Sequence, residues 1–600
     1  MCGIAGVINL RNRFAPEQIR PLAAAMADAM RYRGPDDHGL WSDPDNFCTL
    51  VHRRLSIIDT SPGGHQPMVL PNGSALTFNG EIYNYRLLRQ EMETRGISFT
   101  SSSDSEVLLR GLDHYGLAFL QKLDGMYAFA FFEAKTREVW LARDNFGEKP
   151  LYYSMQNGLF CFASELHALT LQDEFDASID ADAIGIYLAL QYLPAPQTIY
   201  RSVHKLPPGH MGILDPGGGF TQYAHYQFRT SDKTVSSRTL DDLADELESI
   251  LVDTIRTRLI SDVPLGAFLS SGVDSSTVVA IVCKKLGKPI RSFSVGFTGS
   301  EASEHVAAEA TARHLGADHH TEMIAYDSVS MADYIGRMLD EPNGDNSCLP
   351  TFVLSRETRR HVTVALSGDG GDEMFGGYTR YFDMMHEQAE TQKNAATGWK
   401  AGDAYYSSRL LIMSDRVLGL LMGSVPAKTA AWLSARRKAF DDDPRPLINK
   451  MREADAHDYL PGAVLSKVDR MSMQHSLEVR APLLGRAVAE FAMNLAADDC
   501  YSQGRGKLVL KRVAERFLPR QWLDRPKLGF GIAQKDWDAA ALTDATRRLL
   551  LEGDGRLQQW IPAPQLQAFC DFHSNKPVPH HLWPVYILET WLRHHPATPA

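Results

Sequence analysis

The chain has 600 residues, 44% hydrophobic and 22% charged, so it is ordinary globular protein and too long for a single core; two or three domains are expected. A net charge of −11 without a basic tract argues against a nucleic-acid or anionic-membrane partner, and no apolar run approaches the ~20 residues that span a bilayer. MCGIAGVINL does not read as a signal peptide, and seven scattered cysteines without a CxxC pair indicate a reduced, cytoplasmic protein with neither a disulfide framework nor a zinc site.

Cys2 opens an apolar strand, CGIAGVI. With Met1 removed it would carry both a thiol and a free α-amine, which titrates at about pH 8 and can serve as base for its own side chain. The plainer alternative is a small buried residue at the start of a strand. RYRGPDDHG (31–39) is a polar turn, HRRLSII (52–58) a strand with Arg54 at its entrance, and LTFNGEIYN (76–84) a strand expected to break at Asn79-Gly80. An Asn amide and the next backbone N–H can converge on one developing oxyanion, although Asn-Gly is also the usual hairpin turn. TSSSDSEVLL (100–109) carries a capping box, Ser103 to Glu106, at a helix start. Asp104 there is either a helix-start acid or a ligand for an ammonium group.

These segments, with MYAFAFF (126–132), ARDNFGEKPLYY (142–153) and FASELHAL (162–169), resemble the class II glutamine amidotransferases, which are N-terminal-nucleophile hydrolases. The resemblance implies an αββα sandwich with Cys2 as nucleophile and Asn79 and Gly80 as oxyanion hole. It also implies a glutamine pocket of Arg54, Leu55, Ser56, Ile57, Ile58, Asn79, Gly80, Glu81 and Asp104. Arg54 would pair with the α-carboxylate of glutamine, and Glu81 and Asp104 with its α-amine. Pro/Gly-rich residues 207–218 and polar residues 229–239 mark a linker, which gives domains 2–228 and 229–600. An amphipathic helix over 241–260 follows, with acids first and bases last.

PLGAFLSSGVDSS (264–276) reads as buried strand, tight loop and helix N-terminus, an arrangement that binds anions. No Gly-Lys-Ser/Thr follows, so it is not a Walker A loop. It resembles the SGGxDS pyrophosphate loop of the ATP pyrophosphatases, with Ser271 in place of the second glycine; a Ser/Gly turn capping an ordinary helix is the plain alternative. IRSFSVGF (290–297) is a strand, and the α/β alternation around it points to a doubly wound parallel sheet. His319 and His320 are adjacent on a strand and face opposite sides, which argues against a metal pair. In VTVALSGDGGDEMFGGY (362–378) a buried strand ends in an acidic, Gly-rich loop. Asp369, Asp372, Glu373 and the earlier Glu341 are expected to lie together there, across a cleft from the first loop. Asp274 and Asp372 suit a Mg²⁺ bridging ATP phosphates. Lys467, Arg470 and Arg480 are candidates to neutralise leaving pyrophosphate, or else pair along a helix. GRGKLVLKR (504–512) and DRPKLGFG (524–531) add a basic wall, and 385–460 reads as a helical excursion without assigned chemistry.

LSSGVDSS, FSVGF, LSGDGGDEMFGGY, KVDRMSMQHSLEVRAP and RPKLGFG resemble the synthetase domain of the glutamine-hydrolysing asparagine synthetases. The resemblance implies an ATP site of Leu269, Ser270, Ser271, Gly272, Asp274, Ser275, Val295, Ser367 and Gly368. It places Asp369 as the acid for acyl-adenylate formation, with ATP and Mg²⁺ as the cofactors and Asp274 and Asp372 as metal ligands. It also implies an internal ammonia passage, and it allows a homodimer. Two departures stand out. Arg480-Ala-Pro-Leu-Leu-Gly485 replaces the usual RxPFLD, and GFGIAQKDW replaces the common GFGVP form. They leave open amidation of another carboxylate, such as a uronic acid of a surface glycan. A non-catalytic descendant is disfavoured by the intact Cys2, Asn79, Asp274 and Asp372, and a β-lactam-forming synthetase by Cys2.

Overall fold

The computed structural model describes residues 2–298, 304–325, 327–393, 398–525, 538–575 and 578–600. The N-terminal half is built on two antiparallel six-stranded sheets. One runs Val203–Lys205, Tyr152–Gln156, Leu159–Ala163, Gly3–Asn9, Cys48–Arg54, Asp37–Ser42 in spatial order. The other runs Phe220–Ala224, His210–Leu214, Glu138–Arg143, Gly125–Glu133, Ala75–Ile82, Met68–Val69. Central strands such as GIAGVIN are apolar on both faces because each lies between the opposite sheet and a helix. Helix Pro16–Ala29 covers the first sheet, and Tyr85–Thr94 and Asp104–Tyr115 cover the second. The four layers are therefore αββα, as expected.

The C-terminal half holds a five-stranded parallel sheet in the order Asp318–Ile324, Arg291–Phe297, Leu265–Phe268, Val364–Leu366, Glu478–Arg480. The winding direction reverses between the adjacent strands Leu265–Phe268 and Val364–Leu366. Crevices at such a switch point receive ligands, because loops from neighbouring strand ends part there. The segment 385–460 is mainly helical in its described residues, as expected. Its buried anchor is Asp455, which accepts hydrogen bonds from Tyr381 and Tyr405 and pairs with Arg380.

Three local expectations are corrected. Ala75–Ile82 runs unbroken through Asn79-Gly80, paired with Tyr127 and Ala128, and Gly80 absorbs the distortion with φ +153°. A Cβ on Gly80 would lie 2.0 Å from Met126 O, so the position requires glycine. Arg54 is the last residue of its strand, and 55–59 is a loop. Ser103 does cap its helix, but Glu106 turns back to the amides of Thr100 and Ser101 and leaves the reciprocal half of the box unmade. DRPKLGFG beyond Arg525, and GFGIAQKDW, lie outside the described residues.

Candidate active sites

The first site gathers where strand Gly3–Asn9 of one antiparallel sheet faces strand Ala75–Ile82 of the other. The Cys2 N–H donates to Asn79 Oδ1 at 2.8 Å, and the Cys2 thiol faces Leu55 O at 3.9 Å. Fixing Oδ1 on the Cys2 nitrogen leaves Asn79 Nδ2 buried without a hydrogen-bond partner among the described residues. A buried donor left unpaired is costly unless a ligand takes it, and this one belongs to the side chain that holds the Cys2 nitrogen, one residue before Gly80. Burial pushes the Cys2 thiol pKa up, and nearby Arg54 opposes the shift.

Arg54 is held by carbonyls of its own loop, donating to Ile58 O (3.3 Å), Ser61 O (3.2 Å) and Asp59 O. Asp104 is buried and accepts from Ile82 N–H at 2.9 Å; burial raises its pKa to about 6. Burial, with Glu478 and Asp104 nearby, raises Glu81 well above the usual carboxylate range, and Arg480 at 3.5 Å counters this. The pocket thus offers one guanidinium, two carboxylates, a thiol and an oxyanion donor, which is the complement of an α-amino acid carrying a carboxamide.

The second site lies at the switch point. Gly272 starts helix Val273–Ala280; Ser270 N–H donates to Ser275 Oγ (3.1 Å) and Gly272 N–H to Ser270 Oγ (3.1 Å). Leu269 N–H pairs with Phe293 O in the strand that carries Val295, and Ser271 is half-buried in the loop. The SGDGGDE loop presses onto this loop: a Cβ on Gly368 would meet Ser275 N at 2.6 Å, and one on Gly371 would meet Asp274 Oδ1 at 2.4 Å. Asp274 and Asp372 converge on one cation, the Lys507 ammonium, at 2.5 and 2.7 Å. Burial alone would lower the Lys507 pKa; the two aspartates outweigh it and hold it above the ordinary lysine value. Asp369 accepts from Ser367 Oγ at 2.7 Å, with Lys467 nearby, and burial raises its pKa. Two carboxylates already sharing one cation beside a phosphate-type loop fit Mg²⁺.

Some expected members lie elsewhere. Glu341 pairs with Lys205 (2.5 Å) between the halves, not with the acidic loop. Arg470 is buried against Asp340 (2.6 Å) and Tyr152 OH (2.9 Å), and Arg480 against Glu478 (2.7 Å) and the carbonyls of Arg258 and Ile260. Neither arginine pairs with the 270–276 loop; Lys507, which the sequence marks only as part of a basic run, does so through Asp274. Arg33 also escaped notice. It donates to Cys2 O (3.1 Å), Glu165 (2.7 Å) and, bidentately, Asp469 (2.9 and 3.0 Å), which joins the Cys2 backbone to helix Ser466–Met473. Asp469, Glu148 and Leu465 line two neighbouring voids between the halves, and the smaller, about 10 Å³, is also lined by Ser367 and Asp369.

The glutamine amidotransferase domain profile matches residues 1–226, and the asparagine synthase profile matches 246–593. The chain belongs to the asparagine synthase family. Glutamine-hydrolyzing asparagine synthetase 1 of Bacillus subtilis is 31% identical over 98% of this chain and 96% of its own length. A putative glutamine-hydrolyzing asparagine synthetase of Mycobacterium tuberculosis is 34% identical over 90% and 88%. Amidase chry2 of Gibberella zeae is 26% identical over 96% and 95%. Against that family, Gly485 takes on a structural meaning. A Cβ there would meet Thr254 Cγ2 at 2.6 Å and Arg258 Nη2 at 3.0 Å, on helix Leu240–Arg258. Asp124 of the N-terminal half pairs with Arg258 at 3.1 Å. The departure from RxPFLD therefore lies against an ion pair between the halves, and Leu483 and Leu484, not Gly485, pack against the acidic loop.

Proposed function

We propose that the protein makes L-asparagine from L-aspartate, with ATP and glutamine. The observation that carries this reading is the pairing in one chain of a Cys2–Asn79 site and an Asp274–Lys507–Asp372 cleft. On this reading domain 2–228 is the glutaminase and 229–600 the synthetase. After removal of Met1, the Cys2 thiol attacks the glutamine carboxamide while its α-amine takes the thiol proton. Asn79 Nδ2 and the Gly80 amide receive the developing oxyanion. Ammonia leaves, and water cleaves the thioester to release glutamate. Arg54 holds the α-carboxylate of glutamine, and Asp104 and Glu81 its ammonium.

In the second domain the 270–276 loop, Ser367 and Gly368 bind ATP phosphates, with Leu269 and Val295 toward adenine. The acceptor carboxylate attacks the α-phosphorus, pyrophosphate departs, and ammonia displaces AMP from the acyl-adenylate. Asp369 is the acid of the adenylation step. Lys507 lies where it can turn from the aspartates to phosphate oxygens. Asp274 and Asp372 would hold Mg²⁺, which supplies charge neutralisation for the leaving pyrophosphate. Free ammonium is a poor nucleophile at neutral pH, so on this reading ammonia passes between the sites inside the protein.

The test is pyrophosphate release with ATP, Mg²⁺ and glutamine, with and without L-aspartate, followed by mass analysis. Aspartate-dependent release with asparagine as product is the expected result. Glutaminase activity without it would redirect the acceptor search to uronic acids and other carboxylates.

A further inference from the structure

The turn Ser261–Val263 joins helix Leu240–Arg258 to the strand that enters the pyrophosphate loop. Its own Ser261 hydroxyl braces it, accepting from Val263 N–H at 3.2 Å. Asp262 in this turn grips the loop 55–59 of the other domain from both directions. Its N–H donates to Ile57 O at 3.0 Å, and its Oδ2 accepts from Asp59 N–H at 2.9 Å. Ile260 and Val263, on either side, pack on the apolar cluster that contains Leu55, Ile57 and Ile58.

The gripped loop is not a passive surface. Asp59 has φ +55°, a left-handed conformation that a non-glycine residue holds only when its surroundings enforce it. Its carboxylate accepts from Ser102 N–H at 2.8 Å, and its carbonyl, with those of Ile58 and Ser61, fixes the Arg54 guanidinium. Leu55 O faces the Cys2 thiol. Displacing 57–59 would thus displace Arg54.

We propose that Asp262 is a positioning residue for glutamine: from the synthetase domain it holds the Ile57–Asp59 backbone and so sets the orientation of Arg54. This rests on the glutaminase reading of the Cys2 site. Asp262 is exposed, so the effect is that of one hydrogen bond to a loop, not of a buried ion pair.

The experiment compares Asp262→Ala, Asp262→Asn and wild-type full-length enzyme in glutaminase and ammonia-dependent synthesis assays. Asp262→Ala should raise KM for glutamine about fivefold, with kcat and ammonia-dependent synthesis within about twofold of wild type. Asp262→Asn keeps an acceptor oxygen and should restore most of the KM. The proposal is overturned if Asp262→Ala leaves KM unchanged, if the Asn variant matches Ala, or if kcat and ammonia-dependent synthesis fall together. A wild type without glutaminase activity would overturn the underlying reading and this proposal with it. A working wild type whose KM ignores Asp262→Ala overturns this proposal alone.

Discussion

Lys507→Met tests the cleft most directly. The ammonium is buried between Asp274 and Asp372 at 2.5 and 2.7 Å, and methionine keeps the stem's volume while removing the charge. Removing one partner from a buried ion pair costs about 3–5 kcal/mol of stability, less where the carboxylates relax toward water or take up protons. Loss of a cationic donor at developing phosphoryl charge costs a further ~3–4 kcal/mol of barrier, or about 10²- to 10³-fold in rate. The assay is pyrophosphate release with ammonium chloride as nitrogen source, so that the Cys2 site is bypassed, alongside glutaminase on the same preparation. The expected outcome is a loss of about 10²-fold or more in pyrophosphate release, with glutaminase retained. Release within about threefold of wild type would refute the charge argument. Parallel loss of glutaminase would refute the separation of the sites.

Cys2→Ala should abolish glutamine-dependent synthesis and spare synthesis from added ammonia, measured as asparagine formed under each nitrogen source. Asp104 predicts a pH limb. Its pKa is raised to about 6, so kcat/KM for glutamine should fall as pH drops through 6 and the ammonium loses its carboxylate partner. Stability moves the opposite way. The native carboxyl holds its proton more tightly than the unfolded one, so its stabilising contribution is present below the unfolded value of 3.8 and is lost as pH rises through about 6. A glutaminase pH profile flat from pH 8 to 5 would sink the assignment. Gly485→Asp should destabilise by about 1–3 kcal/mol through overpacking on Thr254 and Arg258, read as a lower Tm, and leave acceptor preference unchanged. A switch in acceptor would show that position 485 belongs to the substrate pocket after all.

The sequence by itself determined the elements and much of the chemistry. Strand periodicity, the Gly-punctuated loops and the Cys2, Asn79, Asp274 and Asp372 constellation were legible because turn residues and small residues encode local backbone demands. The α/β alternation also pointed to a doubly wound parallel sheet with the two loops across one cleft, but the strand order that sets the switch point is seen only in the tertiary structure. Sequence misjudged Asn79-Gly80, because a hairpin dipeptide can also sit in a strand whose neighbour leaves no room for a Cβ. It misplaced Arg470, Arg480 and Glu341, because charge and spacing say that a group needs a partner but not which one. Those partners, Asp340, Glu478 and Lys205, come from distant segments or from the other half of the chain, or in the case of Glu478 from a buried strand edge. The pairing of Lys507 with both aspartates, the Arg33 link from Cys2 to Asp469, and the Asp262 grip on loop 55–59 span hundreds of residues. Only tertiary packing could decide them: around the buried Lys507 and Arg33, burial removes water as the alternative partner and leaves each charge to the groups that the fold brings within reach, and the exposed Asp262 meets its loop only because the fold sets the two segments side by side.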